Sequence, residues 1–143
     1  MQLTRFTAQR TESISNVAFI THGTAAATTT LLRYGIYSIN DTTGDITLIA
    51  STPTDLTLLA ATNTRYGRAL SAPVTLNGGQ DYYVGLLVVA TTLPVLAGTT
   101  NVVADLQTLP IPSYQISGLA DLAATHTFAT LVASTMMIYA ELT

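Results

Sequence analysis

The stretch Asp81-Tyr82-Tyr83-Val84-Gly85-Leu86-Leu87-Val88-Val89 limits the fold of this chain more than any other. It is rich in β-branched and aromatic residues, follows Asn77-Gly78-Gly79 and is closed downstream by Pro94, so it reads as a strand rather than a helix. Tyr82, Val84, Leu86 and Val88 face one way; Tyr83, Gly85, Leu87 and Val89 face the other. Both sets are apolar. A strand of this kind needs cover on both faces, which places it in the middle of a sheet.

The other strands can be read around it. Gln2 to Ala8 reads as a first edge strand anchored by Leu3 and Phe6. Ile14 to His22 alternates Val17, Phe19 and Thr21 with Ala18, Ile20 and His22, the period of a strand. Leu31 to Ile39 places Leu32, Tyr34 and Ile36 on one face and Arg33, Gly35 and Tyr37 on the other, and Gly35 marks a bulge or a close approach. Asn40 to Asp45 then turns the chain, with Gly44 supplying positive φ, and Ile46 to Ser51 returns as the second arm of a hairpin. Arg65 to Ser71 reads as a strand interrupted at Pro73, which suits an edge or a crossing between sheets. Asn77-Gly78-Gly79-Gln80 predicts a second hairpin, leading into the central strand.

Elsewhere the pattern is weaker. Ala25 to Thr30 reads as a loop, Leu56 to Thr62 as a short helical turn or strand, and Val102 to Leu109 as a stretch of some apolar character. Tyr114 to Ser117 reads as a brief pairing segment, and Gly118 to Ala124, with Leu119 and Leu122 three apart, as a short helix. Thr135 to Leu142 alternates and reads as one closing strand. The echoes Thr47–Thr52, Thr57–Thr62 and Thr130–Thr135 are irregularly spaced, which argues against a solenoid or propeller. Short strands with turns between them, and no βαβ alternation, predict an all-β single domain over residues 1–143: an antiparallel β-sandwich of jelly-roll-like topology.

Composition narrows the partners. Charged residues are 9% of the chain, against about 25% in ordinary soluble proteins. Lysine is absent, and Arg5, Arg10, Arg33, Arg65 and Arg68 are the basic set within a net charge of −3. Such a chain lacks the basic footprint of nucleic-acid binding. A surface so poor in charge defends weakly against self-association, which points to life in an assembly. No apolar run approaches the roughly 18 residues of a membrane span, and no apolar stretch follows a basic start, so the expectation is a chain made and kept in the cytoplasm until it assembles.

Catalytic and metal motifs are not visible. No serine sits in a Gly-x-Ser-x-Gly frame, cysteine is absent, and His22 and His126 have no ligand spacing. Asp41 and Asp45 flank an oxygen-rich turn, but Asp and Gly there are what turn geometry asks for. No catalytic residue, cofactor or metal ligand is therefore assigned. Seven tyrosines and no tryptophan offer stacking faces or interface anchors. Arg65-Tyr66-Gly67-Arg68 puts Arg65 on one face and Tyr66 and Arg68 on the other; with Tyr34 and Tyr37 these residues form the expected interface set.

Several runs together carry a resemblance. Leu3-Thr4-Arg5-Phe6, Tyr34-Gly35-Ile36-Tyr37-Ser38 leading through Gly44 to Leu48-Ile49-Ala50, Tyr83-Val84-Gly85-Leu86-Leu87, Thr91-Thr92-Leu93-Pro94 and Ile138-Tyr139-Ala140-Glu141-Leu142 are the runs concerned. In these the chain resembles the β-sandwich modules of tailed bacteriophages, particularly phages of actinobacteria, which occur as distal domains of minor tail proteins and as small capsid decoration proteins. The resemblance implies a virion structural protein and no catalytic residues. The first expectation is a decoration (cement) protein on the outer capsid lattice, a homo-oligomer with a trimer favoured, whose partner is the major capsid protein or another virion protein. A minor tail or tail-fibre module that binds a host glycan or receptor is the alternative, and a glycan-cleaving enzyme comes third for want of an acid pair.

Overall fold

A computed structural model describes residues 1–100 and 110–143. The expectation placed on Val102 to Leu109 lies outside the described residues. Among the described residues twelve strands run in chain order: β1 (Gln2–Thr7), β2 (Glu12–Ile20), β3 (Leu31–Ile39), β4 (Ile46–Ser51), β5 (Arg65–Leu76), β6 (Asp81–Val89), β7 (Gly98–Thr100), β8 (Ser113–Gln115), β9 (Thr125–His126), β10 (Val132–Ala133), β11 (Met136–Ile138) and β12 (Ala140–Leu142). One sheet has the order β10-β8-β1-β6-β3-β4-β9, a second β12-β2-β5, and β11 pairs with β7. Every pairing is antiparallel. The result is an all-β, sandwich-like domain in which β1 to β6 cross repeatedly between the large and the small sheet.

The two apolar faces of β6 explain the layering. Tyr82, Val84 and Leu86 join Leu32, Tyr34 and Ile36 of β3, and Val17 and Phe19 of β2, in the core between the two sheets. Tyr83 turns to the opposite face and packs with Leu3, Tyr37, Ile46 and Tyr114 in a second core. The topology covers this second face with chain. β8 and β9 lie towards opposite edges of the large sheet, so residues 116–124 must cross it, and residues 127–131 return to β10. Leu119, Phe128 and Leu131 on those crossings pack against the second core. Burying such side chains contributes about 1.5–3 kcal/mol each, so this cover is part of the fold and no appendage.

Local signals place β2, β3, β4 and β6 well, and partners are harder. β1 is not an edge strand: it lies between β8 and β6. The Asn77–Gln80 turn is a real turn, with Gly79 at φ +81° and the Gln80 amide donating to Asn77 O, but it makes no hairpin. β5 pairs with β2 and leaves β6 to β1 and β3, because both edges of β6 are already taken. β5 is an edge strand, as Pro73 suggested, and runs on to Leu76. Its register jumps where Val74 faces Ile14 and Ala69 faces Asn16, so Pro73, with no N–H to donate, falls inside the bulge.

Gly118 to Ala124 forms no helix. Gly118 has φ +72°, and the segment is tied across the sheet by Arg33 to Asp121 at 2.8 Å and by the Leu48 amide to Ala124 O at 2.8 Å. The closing run is broken at Tyr139. β11 pairs with β7 and β12 with β2, so the chain changes sheets there.

Candidate interaction surface

Tyr34 and Tyr37 are framework residues and cannot serve as surface anchors. Both are 0% exposed, because β3 is covered on both faces and alternation sends one ring to each core. Tyr34 stands edge-on to Phe19 with ring centroids 4.8 Å apart, and Tyr37 reaches Met1 with its hydroxyl. Burial pushes both phenols well above their usual range. Arg65, Tyr66 and Arg68 lie on β5, where each is engaged within the fold. Arg65 crosses over Gly67 to pair with Glu141 of β12. Arg68 reaches Asp55 at 3.5 Å, with its Nε buried and making no hydrogen bond among the described residues. The Tyr66 hydroxyl accepts the Ala61 amide at 2.7 Å. The five expected interface residues thus form no common surface, Tyr34 meeting Tyr66 O from within the core, and the arginine charges fasten β5 to its neighbours.

The other tyrosines follow the same pattern. Tyr82, Tyr83 and Tyr114 are buried, and Tyr139 is the one large exposed ring among the described residues, at 53%. A row of stacking faces is not formed. The Asp41–Asp45 loop is organised from within: Asn40 Oδ1 accepts the Thr42 and Thr43 amides, and Asp45 Oδ1 accepts the Phe128 amide at 2.8 Å. Among the described residues no three His, Asp or Glu side chains cluster as metal ligands.

His126 makes stability depend on pH. Its backbone pairs with Ile46, its ring lies 6.0 Å from Tyr37, and its buried Nε2 makes no hydrogen bond among the described residues. Burial, with the Met1 ammonium second, lowers its pKa from the usual 6.5. A group whose folded pKa is depressed in this way leaves stability unchanged above about pH 6.5. As the pH falls from there towards the folded pKa the unfolded chain takes the proton first, and stability is lost until the folded chain is protonated as well. Asp55 and Asp121 are held below 3.8, mainly by hydrogen bonds from Thr57 and from the Leu122 amide, and their contribution disappears only at lower pH. The melting temperature should therefore fall between pH 7 and about pH 5 in the parent chain and fall less in His126→Phe, where the Met1 ammonium, lowered from its usual 8.0 by burial, still contributes. Equal losses in both would remove His126 as the cause.

The surface with the clearest chemical character is one that no motif marks. Described parts of three of the chain's five longest runs without Asp, Glu, Lys or Arg, residues 13–32, 82–104 and 122–140, meet at one end of the sandwich. Backbone bonds join residues 22–30 to 89–97: the His22 amide donates to Val95 O, the Val95 amide to Thr24 O, and the Ala27 amide to Thr92 O. β7 and β11 then add residues 136–138, and the Tyr139 amide donates to Ala97 O.

At this pole lies a hollow of about 260 Å³ walled by Leu86, Val88, Leu96 and Ile138. Leu93 and Met136 stand on its rim, 61% and 55% exposed, with Val95 beside them and Val132 on the adjoining free edge of the large sheet. Gln2 supplies a polar tie at its edge, its Nε2 donating to Met136 O at 2.6 Å and to Ser134 Oγ at 3.1 Å. The signal available in the sequence is the spacing of charges. No protein-family model, curated protein or solved structure matches the chain.

Proposed function

We propose that this chain is a structural module of a tailed-phage virion that works by binding, first of all as a decoration protein on the outer capsid lattice. The observation that carries the reading is the uncharged pole with Leu93, Val95, Val132 and Met136 exposed on a β-sandwich scaffold. Apolar groups held in this way favour association over solvation, as in a module that works in an assembly of many copies on a lattice. The engagement of Arg33, Arg65 and Arg68 within the fold agrees with this, since it leaves electrostatics little part in recognition. Burial of Tyr34, Tyr37, Tyr82, Tyr83 and Tyr114 removes most of the stacking faces that glycan binding would use.

Quantitative mass spectrometry of purified virions, with the major capsid protein as internal standard, tests the proposal. The expected result is a copy number comparable to that of the capsid subunit. A few copies per particle would move the module to the tail, and absence from virions would overturn the reading.

A further inference from the structure

We propose that the uncharged pole is where copies of this chain meet one another, each placing its Leu93 and Met136 against the hollow of a second copy. This deepens the virion reading and rests on it for its setting, though the two can fail separately. Three observations select a second copy as the occupant.

The first is charge. The chain carries a net charge of −3, so copies repel at a distance, and contact costs least where neither surface contributes a formal charge. Parts of the three uncharged tracts provide that surface. The formal charge nearest the hollow among the described residues is the Met1 ammonium, part-buried and donating to Ile116 O, so an anionic lipid headgroup, a nucleic acid or a strongly charged protein would find little here to pair with.

The second is shape. Protruding Leu93 and Met136 adjoin the hollow floored by Leu86, Val88, Leu96 and Ile138, so knob and hole belong to one patch. Closed symmetric assemblies require a patch that complements itself, and a patch that holds both knob and hole has the parts for that.

The third is extent. Residues 24–30, 89–97 and 132–138 amount to roughly twenty residues, against about 20–30 per side in a stable interface. Such an interface covers about 800 Å² per partner, roughly a ninth of the 7086 Å² surface of the chain.

The test is sedimentation and light scattering of the full chain beside two variants, with far-UV circular dichroism to confirm that each is folded. Leu93→Asp puts a carboxylate on the rim; Leu56→Asp puts one on a comparably exposed apolar residue in the turn after β4, which lies beside residues 26–32 but does not line the hollow. The parent chain and Leu56→Asp should form the same closed oligomer at micromolar concentration, and Leu93→Asp should be monomeric or at least about 100-fold weaker in association. If Leu93→Asp does not fold, Leu93→Ala should still weaken association, by about tenfold.

A parent chain that stays monomeric up to about 100 μM overturns the inference. So does an oligomer that survives Leu93→Asp. A monomer that is nonetheless incorporated into virions through Leu93 would assign the pole to another protein and overturn it as well. Oligomers dissolved by Leu93→Asp but absent from virions would keep the interface and discard the virion role.

Discussion

Replacing Tyr34 by alanine is expected to destabilise the domain by about 3–5 kcal/mol, a large part of the roughly 5–15 kcal/mol that holds such a domain together. Tyr34 is fully buried between the sheets, edge-on to Phe19, and its loss leaves a void bounded by residues from β2, β3 and β6 that cannot close without moving a sheet. The effect is in the ring. The hydroxyl donates a long bond of 3.4 Å to Tyr66 O, so Tyr34→Phe should cost no more than about 1 kcal/mol. Urea unfolding of the two variants separates this core role from the interface role that the sequence suggested. An interface anchor changed to alanine would shift unfolding by less than about 0.5 kcal/mol and weaken association alone. Tyr139→Ala, at an exposed ring, should behave in that second way.

Why Tyr34 reads as a surface anchor from sequence and as core in the structure is a matter of what periodicity can report. Alternation in β3 correctly separates Tyr34 from Tyr37, and the double apolar face of β6 correctly implies cover on both sides. Neither pattern says what provides the cover. On the Tyr34 face it is the small sheet, and on the Tyr37 face residues 116–131, whose apolar residues are scattered over short strands and crossings with no sustained period to announce them. Leu119 and Leu122 are three apart, as on a helix, yet Leu119 packs on the second core while Leu122 fills the space beside Gly35. The helical preference of Leu and Ala there is outweighed by tethers at Asp121 and Ala124. Partners are illegible for a related reason. The Asn-Gly turn before β6 fixes local φ, while the choice of β2 over β6 as the partner of β5 is made by β1 and β3, which are distant in sequence. The uncharged pole is made from parts of three of the five long gaps between charges, and only the fold selects those parts and makes one surface of them.

Gly85 marks the point where the two sides of the large sheet are fitted most tightly, and Gly85→Val is expected to cost about 1–3 kcal/mol by overpacking. Gly85 stands directly across from Gly35 in the β3–β6 ladder. A Cβ on Gly85 would lie 2.7 Å from Leu3 Cδ2 and 3.6 Å from Tyr37 Cε2; one on Gly35 would lie 3.0 Å from Leu48 Cδ1 and 3.2 Å from Tyr37 Cε2. The paired glycines therefore make a shallow slot in the sheet into which the side chains of the second core settle. Alanine at 85 asks only that the end of Leu3 swing aside. Valine adds two more carbons and drives Leu3 and Tyr37 outwards together. Leu3→Ala alone should cost about 2–5 kcal/mol through the cavity it leaves. That cavity is where the new valine would go, so the double variant should be less destabilised than the sum of the singles by about 1 kcal/mol or more, as measured in a double-mutant cycle. Strict additivity would mean that Gly85 is required by backbone conformation and not by the close approach of Leu3. Coupling would show that the second core is fitted side chain to side chain, which is what allows residues 116–131 to hold the outer face of the sheet with so few strand pairings of their own.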